Sequence, residues 1–153
     1  MTHAETLDRA VRAIEERSYW SAYPEHPKAY GDEAPVAGEA AFRDLLGKAF
    51  ATDQAHDGYL EVAESSPFGI ELGVTYLATD VDSVMSAASA AMGAWGKMSA
   101  ADRADVCLEI LDRLAANNFE IAHSVQHTTG QSFLMAFQAG GPHALDRALE
   151  AVA

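Results

Sequence analysis

A chain of 153 residues, 49% of them hydrophobic, is large enough to bury a core as one globular domain and is not a disordered segment. Ten Lys and Arg stand against 23 Asp and Glu, a formal charge of −13, which repels phosphate backbones and anionic lipid headgroups. Nucleic acid and membrane surfaces are therefore poor partners. With Cys107 as the single cysteine no intrachain disulfide framework can form, and a reducing cytoplasm is the expected compartment.

Residues 1–9 show no basic start followed by an apolar run, so no secretory signal is read there. Leu7, Ala10, Val11 and Ile14 recur at helical spacing, with Arg9, Arg12, Glu15, Glu16 and Arg17 left for the wet face; this predicts a helix ending near Ser18. Two prolines, Pro24 and Pro27, then block helix, and Tyr19, Trp20 and Tyr23 cluster there. Their bulk reads as a packing anchor for an irregular arm rather than as a ligand-stacking surface. A short helix is expected around Phe42, Leu45 and Leu46, and a polar loop over 54–58. Residues 59–64 and 70–77 read as strands, joined through Ser65-Ser66-Pro67-Phe68-Gly69, whose Pro and Gly carry turn chemistry.

The remainder reads as helices. Thr79 or Asp80 can cap one in which Val81, Val84, Met85, Ala88, Met92 and Trp95 share a face. Ser99-Ala100-Ala101-Asp102 resembles a capping box, followed by a stripe of Val106, Cys107, Ile110, Leu111 and Leu114. Phe119, Ile121, Ala122 and Val125 predict a third helix stopped by Gly130. A fourth starts at Phe133 and breaks at Gly140-Gly141, and Pro142 opens a last one over Pro142–Val152. The helical half is expected to form a compact antiparallel bundle. The uncharged run 121–145 holds Gln126, Gln131, Gln138, three histidines, three glycines and a proline, so it reads as backbone buried in protein, not in lipid. Residues 1–58, helix and aromatic-proline arm, and 59–153, strand pair and helices, are read as two parts of one unit. The expected fold class is mainly α with a small β component, its helices packed around a β-hairpin.

Residue chemistry alone identifies no active site. Cys107 lies inside a predicted helix beside Val106 and Leu108, where a small buried hydrophobe is expected rather than a thiolate. His123 and His127 are one turn apart, but the residue after His123 is Ser124, not the glutamate of a zinc hydrolase; His143 is the only available third ligand. The pair is read as hydrogen-bonded histidines. Gly69-x-x-x-Gly73 and Gly140-Gly141 match neither a dinucleotide fingerprint nor a Walker loop. Gly140-Gly141-Pro142 opens a helix, where backbone N–H groups can hold an anion, though ordinary helix-break geometry explains it as well. No catalytic, cofactor-binding or metal residue is assigned.

Resemblance supplies more. Asp80-Val81-Asp82, Ala87-Ala88, Ala94-Trp95, Ser99 with Arg103, and Thr129-Gly130 fall in the order of the early helical region of the aldehyde dehydrogenase superfamily, which this stretch resembles. More narrowly, Tyr19-Trp20-Ser21-Ala22-Tyr23-Pro24-Glu25-His26-Pro27-Lys28-Ala29-Tyr30-Gly31 looks like the opening of the PaaN-type phenylacetate-degradation proteins, a branch of that superfamily. So do His127-Thr128-Thr129-Gly130-Gln131-Ser132-Phe133 and the string from Met135 to His143, with Gln131 where the superfamily commonly has Lys. The resemblance implies an N-terminal portion of the aldehyde dehydrogenase α/β fold. It further implies oxidation of an aldehyde through a cysteine thiohemiacetal, with hydride passing to NAD or NADP. The parts that perform this lie later in the family's chain. Cys107 matches no catalytic motif.

Three readings follow. In the first, the chain is an N-terminal segment, inactive alone, whose partner is the remainder of the aldehyde dehydrogenase fold. In the second it is a non-catalytic helical module that self-associates or binds a partner through an apolar face, with 121–145 as the place for that patch. In the third it is a metal protein using His123, His127 and His143.

Overall fold

The computed structural model describes the whole chain, Met1–Ala153. Capping decides where its helices begin. Helix α1 (His3–Glu16) starts at a capping box in which the Thr2 hydroxyl accepts the Glu5 N–H at 3.3 Å and the Glu5 carboxylate accepts the Thr2 N–H at 2.8 Å. The helix closes at Arg17, which takes the left-handed conformation at φ 53°. Prolines keep the next segment irregular, as expected. Of its three aromatics, Tyr23 is buried and Trp20 packs beside it, so both anchor the arm; Tyr19 is 84% exposed and anchors nothing. A single 3-10 turn, Pro27–Tyr30, leads into helix α2 (Glu33–Leu45).

Strands β1 (Gly58–Glu61) and β2 (Thr75–Ala78) pair antiparallel, with Tyr59 opposite Leu77 and Leu60 opposite Tyr76. Both are shorter than the expected 59–64 and 70–77. The extended run toward the second strand is interrupted at Gly73, φ 58°, and the ladder does not continue past Glu61. The hairpin tip is the expected turn: the Gly69 N–H donates to the Ser66 carbonyl at 3.0 Å, with Pro67 inside the turn and Gly69 at φ 78°.

Five helices follow. Asp80 caps α3 (Val81–Trp95) by accepting the Ser83 N–H at 2.9 Å, and Ser99 caps α4 (Ala100–Ala116) by accepting that of Asp102 at 3.0 Å. Helix α5 (Asn118–Thr129) stops at Gly130, φ 77°. Helix α6 (Phe133–Gly140) turns at Gly141 into α7 (Pro142–Val152), which has Pro in its first turn. The fold is thus mainly α with one small antiparallel hairpin.

Two apolar clusters hold it. Ala10 of α1, Leu108 and Leu111 of α4, Leu145 and Leu149 of α7, and Tyr23 of the arm form the first. Phe119 and Ala122 of α5 with Phe137 of α6 form the second, flanked by Tyr30, Ala34 and Phe133. Tyr30 stands edge-on to Phe119 and to Phe137, each at 5.6 Å between centroids. Each such aromatic pair contributes about 0.5–1.5 kcal/mol beyond its buried area. Gly38 of α2 lets that helix press against Phe119: a Cβ there would stand 2.2 Å from the Phe119 Cβ.

Several expectations are corrected. The stripe on α4 divides, because the core takes Leu108 and Leu111 while Val106, Ile110 and Leu114 face outward. Cys107 is consequently half-buried rather than enclosed. The run 121–145 buries Ala122, Ala136, Phe137, Pro142 and Leu145 against its neighbours, and leaves Leu134 and Met135 outside. The helices do not make one compact bundle, since α3 is exposed along its whole length.

Candidate functional site

The densest set of polar and aromatic groups joins α5, α2, α6 and the hairpin tip. One turn of α5 separates His123 from His127, and both imidazoles stack on the Phe42 ring of α2, at 5.8 Å and 22° for His123 and 4.9 Å and 7° for His127. Phe133 of α6 lies 4.8 Å from His123, and Phe68 of the tip stands edge-on to His127 at 5.5 Å. The Ser66 hydroxyl is 2.8 Å from Nδ1 of His127 and also accepts the Phe68 N–H at 3.1 Å. Burial pushes both histidines below the ordinary imidazole pKa, and the Arg43 charge adds to this; the Glu39 carboxylate opposes it at His123.

Chemically this is a tether. A serine bonded to a histidine is the start of a nucleophile–base pair, but Ser66 is buried, its oxygen is occupied by Phe68, and no carboxylate is bonded to Nε2 of His127. Sequence spacing showed the histidine pair. It could not show Phe42 or Ser66, which come from other elements. His143 is not brought to the pair; it lies 3.5 Å from Glu25 at the start of α7. No three His, Cys, Asp or Glu side chains converge anywhere as a metal-binding group.

Two other places carry charge. His3 at the start of α1 is bracketed by α4, with Nδ1 2.7 Å from Asp105 and Nε2 3.1 Å from Asp112 and 4.0 Å from Glu109. The Asp105 hydrogen bond is the main cause of its raised pKa. Asp146 of α7 accepts the Ser21 hydroxyl at 2.6 Å, and burial raises its carboxyl pKa. It lines a cleft of about 320 Å³ together with Arg17, Trp20 and Arg147. A larger, apolar groove of about 660 Å³ runs between Leu45, Phe50, Leu114, Ile121 and Val125.

The helix opening at Gly141 is closed to ligands. A Cβ there would meet the Phe137 carbonyl at 2.7 Å and the Asn118 amide oxygen at 3.1 Å. The Asn118 carboxamide, 1% exposed, fills that end without a hydrogen-bond partner. Burial raises the Tyr30 pKa, and the Asn118 amide close by opposes it without completing a hydrogen bond.

Residues 74–146 match the family model of the Aldehyde dehydrogenase family, and the architecture is that of an N-terminal portion of the aldehyde dehydrogenase fold. The chain is similar over 97% of its length, at 51% identity and a TM-score of 0.90, to the NAD-dependent aldehyde dehydrogenase from Burkholderia multivorans. It spans 27% of that protein's length. No curated protein matches it. No helix is long and apolar enough to cross a membrane.

Proposed function

We propose that this chain is the N-terminal portion of a cytoplasmic NAD(P)-dependent enzyme that oxidises an aldehyde, and that its contribution is framework rather than chemistry. The observation that carries the reading is the 51% identity sustained over 97% of the chain with a TM-score of 0.90. The aromatic-proline string 19–31 and the string 127–143 support the narrower PaaN branch and thus phenylacetate catabolism. The dinucleotide, which accepts the hydride when bound, belongs to residues outside this chain. The residues here do not fit it: the two glycine pairs have the wrong spacing, and Phe137 and Asn118 fill the opening at Gly141.

The test is a chimera in which these 153 residues replace the similar portion of the Burkholderia multivorans protein, assayed for NAD(P)H formation from aromatic and straight-chain aldehydes. The chimera is expected to turn over, with a preference for arylacetaldehydes, and the 153-residue chain alone is expected to be inert. Turnover by the chain alone would sink the framework reading. A chimera indifferent to the aryl group would count against the PaaN branch.

A second reading, a non-catalytic interaction module, draws support from the exposed apolar side chains of α3. Light scattering of the chain alone separates the two: a stable self-association favours the module.

A further inference from the structure

We infer that α3 is a core helix enclosed on two sides by the part of an aldehyde dehydrogenase-type fold that lies outside this chain; the inference rests on the reading just proposed. All residues from Asp80 to Lys97 are exposed, including Val81 at 72% and Met92 at 70%. A helix of 15 residues exposed along its whole length is marginal in water, so this one needs a cover.

Its residues say how complete the cover is. One side carries Val81, Val84, Met85, Ala88, Met92 and Trp95. The opposite side carries Ser83, Ser86, Ala87, Ala90, Gly93 and Ala94, all small. No charged residue occurs from Ser83 to Gly96, in a chain whose net charge is −13. A helix laid on a surface keeps a charged face toward water; one without such a face is buried all round. The large side chains fill space against one layer, and the small ones let a second layer approach the helix backbone closely.

The occupant follows from the comparison. The similar protein shares this backbone over 97% of the chain and has 73% of its own length (100 − 27) beyond it. Residues 74–146, which include α3, match the family model. A second copy fits less well, because one helix meeting its twin covers only one of the two sides.

The test uses amide hydrogen exchange of residues 81–95 in the chain alone and in the chimera described above. Exchange over α3 is expected to be fast in the chain alone and slower by roughly a hundredfold or more in the chimera. Met85→Glu on the large side and Ala90→Lys on the small side are expected to leave the folding of the chain alone unchanged, since both residues are exposed there. Both are expected to abolish the protection in the chimera. If only Met85→Glu does so, the helix lies on a single layer and the inference is overturned. It is overturned as well if α3 stays unprotected in a folded chimera, if the unsubstituted chimera misfolds although the chain alone folds, or if protection in the chain alone rises with its concentration. A chimera that protects α3 but forms no NAD(P)H would fault the proposed activity and leave the enclosure standing.

Discussion

The Ser66 hydroxyl and Nδ1 of His127 lie 2.8 Å apart and fasten the hairpin tip to helix α5 across 61 positions of sequence. The same oxygen holds the Phe68 N–H at 3.1 Å, so one atom fixes both the shape of the turn and its seat. Ser66→Ala removes both bonds at a buried position. The expected loss is about 1–3 kcal/mol, the cost of leaving buried polar groups without partners. His127→Phe keeps the stack on Phe42 and removes the same bond from the other side. Chemical denaturation of the two variants and their double should show strong non-additivity; simple addition would mean that the bond contributes nothing.

Histidines here pull stability in opposite directions with pH. His3 has a raised pKa, chiefly through its hydrogen bond to Asp105, so its contribution is fully present below the ordinary value of 6.5 and is lost as pH rises through the raised value. His123 and His127 have pKa values lowered by burial, so their contribution is present above 6.5 and is lost as pH falls toward the lowered values. Melting temperatures of His3→Gln should approach the parent's in alkali and fall behind it in acid. His123→Phe should gain on the parent as acid is added. A constant gap across the range for either variant would contradict its assignment.

Helix boundaries were legible where a side chain or a ring fixes the backbone locally: Asp80, Ser99, Gly130 and Pro142 stand at the helix ends expected of them. Which apolar side faces the core was not. Helix α4 carries Leu108 and Leu111 on one side and Val106, Ile110 and Leu114 on the other, and periodicity cannot rank two apolar sides. Helix α3 shows the same limit more sharply, since its apolar face was readable and its exposure was not. At the candidate site the i, i+4 histidines were visible in α5. Their partners Phe42 and Ser66 come from α2 and the hairpin, contacts that only the tertiary fold creates.

Two glycines test how closely the helices approach. At Gly38 an added methyl group would overlap the Phe119 Cβ at 2.2 Å and the Glu120 nitrogen at 2.9 Å, and neither can move aside as a flexible side-chain end would. Gly38→Ala should therefore push α2 off α5 and destabilise by about 1–3 kcal/mol or more. At Gly93, in the exposed α3, nothing lies within 4 Å of the added methyl. In the chain alone Gly93→Ala should raise the helix signal in circular dichroism by stiffening the chain, a gain of up to about 1 kcal/mol. Equal effects at the two sites would contradict the contact at Gly38.

Arg17 is the one residue other than glycine with a positive φ, at 53°, and it ends α1. The left-handed conformation costs a residue with a Cβ about 1–2 kcal/mol, and glycine avoids that cost at a helix end. The Ser18 N–H reaches the Ala13 carbonyl at 2.9 Å through this bend, so the conformation is held in place and cannot relax without opening the cap. The Arg17 guanidinium makes no ion pair, although it lines the cleft beside Asp146, so its removal breaks no salt bridge. Glycine also frees the unfolded chain, which offsets roughly 0.5–1 kcal/mol of the gain. Arg17→Gly should thus raise the stability by up to about 1 kcal/mol. Arg17→Ala keeps the Cβ and should give no comparable rise. Were alanine to stabilise as much as glycine in thermal melts, the cause would lie in the arginine side chain and not in the backbone of the cap.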